Sequence, residues 1–182
     1  MEDMRMIFKG DDVFYRPLAQ DDLPALYSWA CDQEVTKYSL SWYVIPKPIE
    51  CHKTWLAALI AKDTSVDLAI CCNETQKIIG YSGITALNLI NRCGEFYILI
   101  GEQDYWGRGI ATEATKIITE YGFKNLGLHR VELTAFADNP AAITAYKKAG
   151  FIHEGIKRQS GFRDGQYRDK VMMSALSSEW MK

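Results

Sequence analysis

The chain has 182 residues, a formal net charge of −2, and an ordinary globular balance of 48% hydrophobic and 24% charged residues. That length serves one domain with a buried core, and residues 1–182 are expected to form it. The charge excludes a strongly basic nucleic-acid binder, and no apolar run approaches the roughly 18 residues that span a bilayer, so neither partner is expected.

In chain order, the opening "DVFYRPL" (Asp12 to Leu18) alternates as a strand. Asp21 or Asp22 is placed to N-cap a helix running to about Asp32. An aromatic loop with Pro46 and Pro48 follows, then a helix over Glu50 to Ala61. "VDLAICC" (Val66 to Cys72) and "KIIGYSGITAL" (Lys77 to Leu87), joined by "NETQ", read as a hairpin, and Gly94 to Gly101 adds a third strand. Beyond "YWGRGIAT" (Tyr105 to Thr112), the spacing of Ile110, Ala114, Ile117, Ile118 and Tyr121 predicts an amphipathic helix ending near Gly127. "HRVELTAF" (His129 to Phe136) has the period of a strand, and "DNPAAITAYKKAGF" a helix with Asn139 as N-cap, Pro140 first and Gly150 past its end. Asp164-Gly165 joins two closing strands by a tight turn. The result is a mixed α+β order, not a doubly wound one.

The opening "MEDMRMIFKG" has no leader-like apolar stretch, and five cysteines without CxxC spacing read as reduced thiols, so a cytoplasmic protein is expected. Three isolated histidines make no ligand pattern, and no metal is expected.

Two glycines flanking Arg108 at a strand-to-helix junction have two readings. One is a turn that needs glycine to reverse direction. The other is an anion cradle, because a helix N-terminus presents unpaired amides and a partial positive charge. The dinucleotide motif GxGxxG fails, since position 112 is Thr, and the P-loop GxxxxGK[ST] is absent.

"YILIGEQDYWGRGIATEA" together with "NPAAITAYKKAGF" resembles the GNAT superfamily of acyl-CoA-dependent N-acyltransferases, whose signature is [Q/R]xxGxG/A. Trp106 stands where that signature has Gln or Arg. The pattern is similar to the branch holding ribosomal-protein N-terminal acetyltransferases and spermidine acetyltransferase. The resemblance implies a three-layer α+β fold: a mixed, largely antiparallel sheet of about seven strands, splayed between strands 4 and 5, with about four flanking helices. It implies acetyl-CoA as co-substrate, with the backbone of Ile98, Leu99 and Ile100 pairing with the pantetheine arm. Trp106, Gly107, Arg108, Gly109, Ile110, Ala111 and Thr112 would surround the pyrophosphate, and Asn139 would add a side-chain bond. At its position in the motif, Tyr146 would serve the departing thiolate. Without the family, Asn139 is an ordinary N-cap and Tyr146 a core aromatic.

An alkyl amine with pKa about 10.4 is almost wholly protonated at neutral pH, so acetyl transfer needs a proton acceptor. Glu95 is the candidate, as base or as amine anchor; pairing with a cation such as Arg92 is its plain structural role. Tyr38, Trp42 and Tyr97 join Glu95 as candidates on the acceptor side. The expected reaction is direct transfer to a primary amine (protein N-terminus, polyamine, amino sugar or antibiotic) in a ternary complex; a non-catalytic acyl-CoA sensor is the alternative. GNAT proteins are often homodimers, and the tail "SSEWMK" with Trp180 is open to packing at an interface or folding back.

Overall fold

The computed structural model describes residues 6–39 and 41–180, without the side chains of Ser41 and Trp42. In chain order the elements are β1 (Phe8–Lys9), β2 (Val13–Pro17), α1 (Leu23–Ala30), α2 (Gln33–Thr36), α3 (Ile49–Ile60), β3 (Val66–Cys72), β4 (Ile78–Asn88), β5 (Cys93–Ile100), α4 (Ile110–Lys124), β6 (Arg130–Phe136), α5 (Pro140–Ala149), β7 (Ile152–Arg163), β8 (Gln166–Leu176) and α6 (Ser177–Trp180). The strands form one mixed sheet in the order β1-β2-β3-β4-β5-β6-β8-β7. Eight strands and six helices, among the described residues, replace the expected seven and four. The additions β1, α2 and α6 are two to four residues long, too short to carry a periodicity.

The chain divides into two compact units, Met1–Gly83 with Ile98–Ile110, and Ile84–Tyr97 with Ala111–Lys182. In the first, β2 runs antiparallel to β3 from Val13↔Cys72 to Pro17↔Leu68. Val13, Tyr15, Leu68 and Ile70 are fully or almost fully buried along this pair. Arg16 is buried too, and its guanidinium donates to both carboxylate oxygens of Asp22 at 2.6 and 2.8 Å. The expected N-cap holds in position only. Asp22 sits at the N-cap position of α1 but makes no side-chain cap bond, because a buried guanidinium takes its carboxylate first.

In the second unit β6 pairs with β8 along all seven of its residues, and β8 pairs with β7. α4 buries Ala114, Thr115, Ile118, Thr119 and Phe123. Ile117 and Tyr121, which the apolar spacing included, are only half-buried. A threonine can replace them inside because Thr115 Oγ1 donates to the Ala111 carbonyl at 2.6 Å within the helix. α5 follows its sequence signals: Asn139 Oδ1 accepts from Ala142 N at 3.2 Å, Pro140 comes first, and Gly150 closes the helix at φ 108°. Trp180 folds back onto Gly150 and packs edge-on against Phe123 and Phe151, at 5.8 and 6.1 Å between ring centroids. Asp164 and Gly165 both take positive φ, as the tight hairpin turn requires.

Candidate active site

The turn before α4 has the backbone of an anion cradle. Gly107 and Gly109 take φ of 75° and 84°, the left-handed region, and no atom lies within 4 Å of where a Cβ would stand on either. Glycine is there for conformation, and the space beside both residues is open. α4 then runs 15 residues from Ile110, with Ile110 buried and Ala111 and Thr112 half-buried in its first turn. Its leading amides and dipole suit a phosphate group.

The side chains around this turn are tethered. Trp106 Nε1 donates to the Ile100 carbonyl at 2.9 Å, while its ring stays 45% exposed. The indole N–H is therefore spent on the end of β5, and what Trp106 has left to offer a ligand is its ring face. The Arg108 guanidinium lies 4.9 Å from the Tyr105 ring centroid. The Tyr105 hydroxyl and Thr75 hold the Cys72 thiol down to about 7. Just upstream, Trp29 Nε1 donates to Glu102 at 2.8 Å and Gln103 Nε2 to Asp32 at 2.9 Å. Sequence reading missed these ties, because partners more than 70 residues apart leave no local pattern.

β5 lies parallel to β6 only over Cys93↔Arg130, Gly94↔Val131 and Glu95↔Glu132. The ladder stops there although β6 continues to Phe136. In family terms this is the splayed pair; β1 moves its count to strands 5 and 6. Alternation places Phe96 inward, 3% exposed against Tyr146 and Phe151, and leaves Glu95 exposed and Tyr97 half-buried. Ile98, Leu99 and Ile100 are half-buried. Tyr38 is half-buried under the Lys37 ammonium, 5.6 Å from its ring. The Trp42 side chain lies outside the described residues.

Tyr146 is 8% exposed, with its ring edge-on to Phe96 at 6.1 Å. Burial pushes its phenol up to about 12, so it keeps its proton across the physiological range. Asn139 spends Oδ1 on the cap and retains its amide N–H groups as donors.

Lys170 lies within electrostatic reach of Glu95. Burial holds the Lys170 ammonium below its ordinary pKa, the nearby Arg163 and Lys157 add to that, and Glu95 opposes it. Lys170 Nζ and Arg163 Cζ lie 4.9 and 5.2 Å from the centroid of the same ring, Phe136. No helix among the described residues is long and apolar enough to cross a membrane, and no metal-binding cluster occurs among them.

Comparison with known proteins agrees with this geometry. The family described as "Acetyltransferase (GNAT) domain" matches residues 12–152. A spermidine N(1)-acetyltransferase of Escherichia coli (strain K12) is 29% identical over 166 residues, 91% of this chain and 87% of that protein. The N-acetyltransferase YoaA of Bacillus subtilis (strain 168), itself uncharacterized, is 31% identical over 173 residues, 93% and 96% of the two chains. The crystal structure of a Vibrio cholerae spermidine N-acetyltransferase in complex with CoA and spermine superposes with a TM-score of 0.85, at 24% identity, over 95% of this chain and 100% of that one.

Proposed function

Because this chain belongs to the GNAT acetyltransferases, acetyl-CoA-dependent enzymes, we propose that it passes an acetyl group directly to a primary amine within a ternary complex, as one domain over residues 1–182. Bound acetyl-CoA supplies an activated thioester. The residues present suit it: two left-handed glycines with open space beside them lead into a 15-residue helix. That observation carries the reading.

In this reading the amides of Gly107 to Thr112 hold the pyrophosphate, with Arg108 as a charged donor. The backbone of Ile98, Leu99 and Ile100 takes the pantetheine arm as an added strand, and the Asn139 side-chain amide donates one further bond. Tyr146 donates a hydrogen bond to the thiolate as it leaves. Glu95 holds the amine as a cation before reaction or takes its proton. Tyr38, Trp42 and Tyr97 border the acceptor. No enzyme nucleophile is needed, since the amine attacks the thioester itself.

The test is incubation of the full chain with acetyl-CoA and a panel of amines, read by mass spectrometry for an acetylated product. Spermidine belongs in the panel because relatives carry its name, beside N-terminal Ser and Ala peptides, an aminoglycoside and an amino-sugar nucleotide. An acetylated amine is the expected result. Tight acetyl-CoA binding with no acetylated amine from a wider panel would favour the acyl-CoA sensor instead.

A further inference from the structure

On the sheet face that carries Glu95, β7 and β8 assemble a positive cluster. Strand register defines this face. Glu95 lies beside Glu132 in the parallel ladder, and Glu132, Thr134 and Phe136 alternate onto one side of β6. Phe136 is cross-strand to Lys170, and Lys170 is cross-strand to Lys157. Two lysines directly opposite each other repel, an arrangement sheets avoid. Arg163 joins them past the irregular stretch between Lys157 and Gly161. It lies on the buried Phe136 ring, which Gly161 admits: a Cβ there would stand 2.2 Å from that ring.

The chain is net acidic, yet the segment 152–176 holds five Lys and Arg against three Asp and Glu. The side chains of those three acids bond other groups, and Asp164 also bears on Arg163. Glu154 accepts from Arg130 and Ser174, Asp164 from Arg168, and Asp169 from the Gln159 amide. Burial and its cationic neighbours both lower the proton affinity of Lys170, so the cluster is held together at a cost that an anion would relieve. On the same face Glu95 stands level with Glu132, four residues along β6 from Phe136. The face thus presents both a carboxylate and a cation cluster, the complement of a molecule bearing an ammonium and an anion.

Resting on the acetyltransfer reading above, we propose that the acceptor is an amine that also carries an anionic group, a carboxylate or a phosphate, seated by Lys157, Arg163 and Lys170 while Glu95 receives the amine. A polyamine brings several cations to this face and no anion.

Matched amines test this on the full chain with acetyl-CoA: phosphoethanolamine against ethanolamine for a phosphate, tyrosine against tyramine for a carboxylate, and spermidine. Rates are referred to the unprotonated amine. The expected result is that the anionic member of at least one pair has a kcat/KM about tenfold higher than its partner and than spermidine, an advantage that shrinks with added salt. Lys157→Gln and Lys170→Gln should each lower that anionic-to-neutral ratio several-fold, mainly through KM, with Lys170→Arg retaining it. Whichever pair responds identifies the anion. Spermidine matching or exceeding every anionic amine, or a ratio unmoved by both glutamine variants, overturns the proposal. Should no amine react although acetyl-CoA raises the Tm, inorganic phosphate is the probe: it should raise the Tm of the native chain and not of the Lys157→Gln/Lys170→Gln double variant, and equal shifts overturn the proposal. Absence of any acetyl-CoA effect on Tm would instead overturn the acetyltransfer reading beneath it.

Discussion

Tyr146 shows how far burial decides what one residue can do. A thiol has a pKa near 8.5, and a phenol pushed up to about 12 is a much weaker acid, so full proton transfer to the leaving thiolate is uphill by roughly 5 kcal/mol. Donation of a hydrogen bond avoids that cost. Tyr146→Phe keeps the ring packed against Phe96 and Phe151 and removes only the donor. Its kcat should fall about 100-fold while the acetyl-CoA Kd, by calorimetry, changes less than about twofold. Because the phenol stays protonated, the native kcat should show no decline attributable to it between pH 8 and about 11. Wild-type turnover in Tyr146→Phe would remove the donor role. Gly109 offers the complementary case, where backbone conformation rather than a side chain is at stake. Gly109→Ala forces an L side chain to φ 84°, at a cost of about 1–2 kcal/mol, and should weaken acetyl-CoA binding measurably.

At the scale of elements, local chemistry announced itself where partners are neighbours in sequence. The Asn139 cap, Pro140 at the helix start, Gly150 at its end and the Asp164-Gly165 turn were legible because each acts within a few residues. Asn139→Ala should cost about 1 kcal/mol of stability, read from chemical denaturation. The partner of Asp22 was not legible, since Arg16 belongs to another element. The link from β6 to β7 has the same character. The Arg130 guanidinium and the Ser174 hydroxyl hold the Glu154 carboxyl down at about 2. A depressed carboxyl pKa adds stability above its unfolded value of 4.5, and this contribution is lost as pH falls from there through about 2. Glu154→Gln should therefore flatten the acid side of a Tm-against-pH curve between those values. An unchanged acid limb would show the pair contributing nothing.

For the molecule as a whole, the family assignment rests on a match over residues 12–152 and on relatives aligned along most of the chain. It makes a prediction independent of any single side chain. A ligand that binds only the folded state stabilises it by about 2.7 kcal/mol at one hundred times its Kd. For a chain of this size that is a Tm rise of roughly 5–10 °C. Scanning fluorimetry with acetyl-CoA should show it, and no shift at saturating concentrations would leave the glycine turn without its ligand.

By itself the sequence determined the type and approximate limits of every element longer than four residues, the glycine turn at the head of α4, and the family. All of these depend on spacing within a few turns of chain, where side-chain periodicity and capping chemistry act. Only the tertiary structure decided that the Trp106 indole N–H closes on Ile100, that Lys170 comes within electrostatic reach of Glu95, and that Trp180 folds back onto Gly150. It also decided that Arg163 and Lys170 meet over Phe136, with Lys157 cross-strand to Lys170, on the face of Glu95. The last of these follows from strand register and β-bulges, where a one-residue slip sends every side chain to the opposite face. Register is fixed by packing between segments distant in the chain, and no local pattern encodes it.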